Sequence, residues 1–199
     1  MQSIYFVDSN FTYESSKKSI LSIRYATDGF SFCVHDETEK LVVFVHEPYA
    51  ADSREAAVAR LKNYVVNDAI LNLRFKKVYI MPCFKEKLLV PGAFFDKANI
   101  ATLYTVNQEV APDDTILYHH IEGIEAYLVE TVISSFHDFV REHFPVVQIV
   151  NGAYPFILGA MAKALRDTEQ IFLDIQDNYF DLLFIRDSGI QLFNTFSYD

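Results

Sequence analysis

Two stretches, Ser19 to His46 and Gln170 to Tyr198, read as the same object: three short strands joined by tight turns. The first runs Ile20 to Arg24, turns at Asp28-Gly29, continues Phe30 to Val34, turns again through Asp36-Glu37-Thr38 and ends Leu41 to Val45. The second runs Ile171 to Ile175, turns at Asp177-Asn178, continues Tyr179 to Ile185, turns at Asp187-Ser-Gly189 and ends Ile190 to Asn194. Period-2 alternation sets Phe30, Phe32 and Val34 on one side of a strand and Ser31, Cys33 and His35 on the other. Asp28-Gly29 has the chemistry of a two-residue hairpin turn, which needs positive φ. A repeated meander constrains the chain to a duplicated α/β scaffold. It names no reaction.

With 199 residues, 51% of them hydrophobic and 15% aromatic, the chain can bury one large core or two modest ones. A net charge of -10 argues against nucleic acid, because phosphate neutralisation needs clustered Lys and Arg. The basic runs Lys17-Lys18 and Arg74 to Lys77 are too short for that task. No apolar run approaches the roughly 18 residues of a membrane span, and Met1 to Asp8 lacks a basic segment leading into a long apolar one. The expectation is a cytoplasmic protein with no membrane insertion. Cys33 and Cys83 form no CxxC pair and read as small buried hydrophobes.

Between the meanders the periods alternate. Asp52 is expected to cap a helix with Glu55 reaching back to the cap, the buried face running from Ala57 through Leu61 and Val65 to an end near Leu73. Lys77 to Met81 reads as a strand halted by Pro82. The region from about 84 to 120 is an irregular insertion: Leu88 to Gly92 a strand or turn, Ala93 to Lys97 a helical turn, Ile100 to Val106 another strand, then Thr115 to Ile121. Regularity returns with a strand at Ile124 to Val129, a helix at Val132 to His143, a strand at Val146 to Val150 and a helix at Tyr154 to Leu165.

This order resembles the actin-like ATPase superfamily, with ribonuclease H-like lobes whose mixed sheets each start from a three-strand antiparallel meander. Leu21-Ser-Ile-Arg24 with Asp28-Gly-Phe-Ser-Phe32, Leu89-Val-Pro91 and Leu192-Phe-Asn-Thr-Phe196 resemble, more narrowly, an uncharacterised bacterial family, mostly from Bacteroidetes (DUF3822-like), with that fold and no assigned function. The resemblance implies a first lobe over 1–168, with the insertion at about 84–120, and the start of an incomplete second lobe over 169–199. Such proteins continue past Tyr198, so a truncated chain is expected, its second meander finding cover elsewhere.

The superfamily grips phosphate at the first hairpin of each lobe, where glycine lets backbone N–H groups approach and an Asp orients Mg²⁺. In this chain the first such turn has Ser22 and Arg24 in place of the carboxylate and the glycine. The second keeps Asp174 but replaces glycine with Gln176, and Asp177-Asn178 supplies no hydroxyl. Asp28, Asp174 and Asp177 are the candidate relics of cofactor binding, and no residue is expected to be catalytic. Asp181, inside an apolar strand, needs a partner if buried. His119-His120 face opposite ways on one strand and His137 and His143 share no helix face, so no metal site is expected. No P-loop, Gly-x-Gly-x-x-Gly or nucleophile elbow is present. The expected function is that of a non-catalytic pseudo-ATPase without cofactor that binds an unidentified protein partner, a homodimer included. The alternative is a nucleotide-binding protein or divergent ATPase or kinase using Mg-ATP.

Overall fold

The computed structural model describes residues 2–198, which divide into two units: Met1–Phe84 with Ile133–Val150, and Lys85–Val132 with Asn151–Asp199. In the first unit a six-stranded mixed sheet has the order β1-β4-β3-β2-β5-β9. Its meander is β2 (Ile20–Ala26), β3 (Gly29–His35) and β4 (Leu41–Pro48), antiparallel throughout, extended on one side by β1 (Ile4–Val7) and on the other by parallel β5 (Lys77–Pro82) and β9 (Val147–Ile149). Phe30, Phe32 and Val34 are all buried, as their alternation predicts.

The hairpin turn is Thr27-Asp28, one residue ahead of the expected Asp28-Gly29, and Gly29 opens β3 opposite Ala26, where glycine is required twice over. Gly29 has φ +150, and a Cβ there would stand 2.7 Å from the Glu47 carbonyl oxygen of β4.

A short helix, α1 (Tyr13–Ser16), precedes the meander, and α2 (Arg54–Asn67) follows it. Ser53, not Asp52, caps α2, its hydroxyl accepting from Ala56 N at 3.1 Å. The helix also stops at Asn67, short of Leu73, because Asp68 Oδ1 accepts from Ile70 N and Leu71 N and bends the chain into a turn. Together with α4 (Ser134–His143), α2 covers the sheet: Tyr25 meets Phe136 at 5.0 Å and Phe30 meets Tyr64 at 4.4 Å.

The second unit holds two three-stranded sheets. One has the order β6-β8-β7, from β6 (Lys87–Pro91), β7 (Asp114–Ile121) and β8 (Ala126–Ile133). The other is the second meander, β10 (Glu169–Ile175), β11 (Tyr179–Arg186) and β12 (Gly189–Ser197), antiparallel. The helix α5 (Ala153–Lys163) packs Ile157 and Ala160 into a core with Ile121, Leu128, Leu183 and Ile185.

Ile100 to Val106 is helix, not strand: α3 (Ile100–Asn107) buries Ile100 and Tyr104 against Val90 and Val129. Those two residues are four apart, and the Tyr104 hydroxyl donates to Glu86 O at 3.0 Å. Tertiary packing of one helical stripe overrides the strand preference of the β-branched residues there.

Candidate functional site

The first hairpin is closed upon itself. Arg24, on β2, sets its guanidinium 3.5 Å from Asp28 Oδ1, both side chains about one-third exposed. Arg24 is therefore partnered within the very turn whose glycine position it occupies. Behind it Cys33 is half-buried, and burial pushes its thiol pKa up, against a hydrogen bond with Ser22. Cys83 is half-buried too, its Sγ 3.7 Å from Met81 O.

In the second meander, Asp177 is exposed in the β10–β11 turn, whereas Asp174 is half-buried on β10. Strand register puts Asp174 opposite Asp181 on β11, and Asp181 opposite Thr195 on β12. These three residues form one polar row on the sheet's inner face.

Onto that row comes Lys87 from β6. Its Nζ stands 2.9 Å from Asp181 Oδ1, each side chain 2% exposed, and 4.6 Å above the Tyr179 ring. Thr195 Oγ1 donates to the same Asp181 Oδ1 at 2.6 Å. Burial raises the Asp181 pKa above its ordinary value, and the Lys87 ammonium works against that rise, as does the Thr195 hydroxyl. The partner that a buried Asp181 requires is thus Lys87.

Lys87 is also the cross-strand partner of Glu130 on β8. Glu130 is buried, which pushes its pKa up to about 8 against the pull of Asn151 and Lys87, so it carries its proton at neutral pH. Asn151, just ahead of α5, orients it. Ala153 N donates to Asn151 Oδ1 at 2.8 Å, which turns Asn151 Nδ2 toward Glu130 Oε2 at 2.6 Å. With Oε2 accepting, the proton belongs on Oε1. That atom has no hydrogen-bond partner in the protein and faces His119 Nε2, likewise unpartnered, at 3.8 Å. Burial lowers the His119 pKa, which favours the neutral ring beside the acid.

The cluster's cation, Lys87, forms its ion pair with Asp181 and also works against the rise in the Glu130 pKa. A pair of neighbouring Asp side chains is common raw material of a Mg²⁺ site. Here an ammonium of the protein already stands against it. Among the described residues no group of three or more His, Cys, Asp or Glu side chains is arranged to hold a metal ion. His119 and His120 diverge as strand alternation requires, His120 packing on Tyr127 at 5.0 Å between ring centres. Lys87 and Glu130 were not evident from sequence. The available signal was a lone carboxylate inside an apolar strand, Val129-Glu130-Thr131, the same cue that marks Asp181.

Comparison with known proteins puts this geometry in context. The family model described as a protein of unknown function, DUF3822, matches residues 8–199. A Bacteroides thetaiotaomicron protein with actin-like ATPase fold and unknown function superposes with TM-score 0.86 at 22% identity, over 94% of this chain and 73% of that one. Weaker likenesses are the PilM-PilN type IV pilus biogenesis complex (TM-score 0.47, 13% identity, 89% of this chain and 61% of that one) and the Aquifex aeolicus member of the Ppx/GppA family (TM-score 0.40, 10% identity, 90% and 51%). No curated protein matches the chain. The fold is that of the actin-like ATPases. Among the described residues no helix is long and apolar enough to cross a membrane.

Proposed function

The chain belongs to the DUF3822 family of unknown function, and we propose that it is a non-catalytic, pseudo-ATPase form of the actin-like fold that acts by binding another protein. The observation that carries this reading is the Lys87–Asp181 pair, buried and 2.9 Å apart. A nucleotide-dependent member of the fold needs carboxylates free to order Mg²⁺ and backbone amides free to meet phosphate. In this chain the inner carboxylate is neutralised from within, and Gln176 stands where a glycine would let phosphate approach. The first hairpin supports the same conclusion, Arg24 being held by Asp28. Binding without catalysis needs only surface, and the chain exposes Phe, Tyr, Ile and Leu side chains in quantity.

On this reading neither Mg-ATP nor any other cofactor is required, and nucleic acid is not a partner at a net charge of -10. We take the bacterial cytoplasm as its compartment, where thiols such as those of Cys33 and Cys83 stay reduced. Thermal melting with Mg-ATP, ADP and GTP tests the proposal. A ligand at about 100 times its dissociation constant adds about 2.7 kcal/mol to stability, which a melt detects easily. No shift is expected. A shift with any nucleotide that disappears in Asp174→Ala favours the nucleotide-binding alternative and ends the non-catalytic reading.

A further inference from the structure

The three parallel strands of the first sheet, β2, β5 and β9, start level with one another: Ile20 pairs with Lys77, and Val78 with Val147. The segments leading into them therefore meet at one end of the sheet, the end away from the Arg24–Asp28 hairpin. Ser16 Oγ donates to Arg74 O at 2.9 Å, and Lys76 N donates to Ser19 O at 3.0 Å. The basic runs Lys17-Lys18 and Arg74 to Lys77, each short on its own, thus lie side by side in the fold. Glu14 pairs with Lys17 at 2.8 Å and Glu37 with Lys18 at 3.7 Å. Arg74, Lys76 and Lys77 have no ion pair among the described residues, and Arg74 and Lys76 are exposed. Beside them a groove of about 480 Å³ opens between the 71–75 segment and the turn from α4 into β9. Phe75, Val78, Phe144 and Val146 line it with apolar atoms, and Arg74 and His143 add polar ones. That volume lies within the range of ligand-binding clefts. All of these residues belong to the first unit.

We infer that this groove receives an acidic segment of a partner protein, one apolar side chain seated against Phe75 and Phe144 while flanking carboxylates meet Arg74, Lys76 and Lys77. Charge complementarity selects that occupant. In a chain with 27 acidic and 17 basic residues, a run of cations without carboxylate partners stands apart from the rest of the surface. In the last turn of α4, Arg141 balances Glu142 in formal charge. At physiological ionic strength the Debye length is about 8 Å, so the field at the groove is set by these nearby cations and not by carboxylates across the molecule. The acidic remainder of the surface repels the same segment and confines it to this end. The Arg74 guanidinium can take a carboxylate through two hydrogen bonds. Nucleic acid fits less well, since three cations are few against the roughly 6–10 phosphate contacts of a protein that grips its backbone.

This partner chemistry rests on the protein-binding reading, which it deepens. Fluorescence anisotropy tests it with the 199-residue chain and a labelled peptide of Asp and Glu around one central Phe. Saturable binding is expected with a dissociation constant below about 100 µM. Arg74→Glu should weaken it about tenfold or more, and replacing the peptide's Phe by Gly about tenfold. Lys76→Glu, at a second exposed position, should act in the same direction and decides alone if Arg74→Glu loses its melting transition. Lys163→Glu, in the last turn of α5, should change nothing. Absence of saturable binding overturns the proposal, as does an equal loss in Lys163→Glu. So does an oligothymidylate of equal charge that displaces the peptide as readily as unlabelled peptide does. The peptide is titrated without nucleotide, so a failure here with flat nucleotide melts strikes this groove alone. A nucleotide shift abolished by Asp174→Ala strikes the protein-binding reading whatever the peptide does.

Discussion

The two meanders share a topology and differ in what they bury. In β2–β4 the inner face is apolar throughout, with Leu21, Ile23, Phe32, Val34, Val43 and Val45 almost wholly inaccessible to solvent. In β10–β12 the buried side carries Asp181 beside Leu183 and Ile185, while the exposed side is apolar. Alternation creates two faces, and neighbours decide what each one meets. The first meander gains β1, β5 and β9 in its own sheet, whereas the second remains three strands wide. A sheet of that width is only marginally stable unless something packs on it. Its inner side has α5 and Lys87. Its outer side exposes Ile171, Leu173 and Ile175.

Breaking the buried pair has the largest expected effect on this comparison. Lys87→Met leaves Asp181 buried without its cation and is expected to cost about 3–5 kcal/mol in urea denaturation. Adding Asp181→Leu should recover most of that loss, because an apolar pair replaces an ionic one at little cost. A loss below about 1 kcal/mol in the single variant means that the pair does not anchor the second meander.

The pH dependence of Glu130 is next. Its pKa rises on folding from 4.5 to about 8, so the folded state holds a proton that the unfolded state releases. Stability from this group is fully present below pH 4.5 and is lost as pH climbs through 8, in total on the order of 5 kcal/mol. Glu130→Gln keeps the hydrogen bond with Asn151 and should flatten that decline. An unchanged slope would mean that Glu130 is ionised in the folded protein.

The hairpins give the smallest effects, and of opposite sign. Gly29→Ala drives a Cβ to 2.7 Å from Glu47 O and should cost about 2 kcal/mol, in line with other strained backbone sites. In the second meander Asp187 and Ser188 both adopt positive φ, at 52 and 62, without being glycine. Ser188→Gly should therefore stabilise by about 0.5–1 kcal/mol, read as a rise in melting temperature. Equal signs at the two hairpins would show that the turns are interchangeable after all.

Most of the strands were legible because both meanders alternate cleanly and are bounded by Asp, Asn and Gly. The α2 helix was legible from its stripe of Ala57, Leu61 and Val65, but its cap was displaced by one residue, Asp52 and Ser53 both being competent cap residues. The α3 helix was not legible, since Ile100 to Val106 has a strand composition and its helical state comes from Tyr104 reaching Glu86 and Val90. Neither β1 nor α1 was anticipated. All four residues of β1 are exposed, so no buried face imprints a period on Ile4 to Val7. The candidate site was half-visible. Asp174 and Asp181 each stand out as a carboxylate in an apolar strand, β10 and β11, but Lys87 and Glu130 arrive from other strands, and single-sequence periodicity carries no record of that pairing.

The central claim is that a protein ammonium, not a metal-bound nucleotide, occupies the electrostatic role at the Asp174–Asp181 row. Calorimetric titration of Mg-ATP into the wild-type chain tests it most directly. No saturable heat is expected in the wild type. A saturable heat that vanishes with Asp174→Ala would contradict the claim.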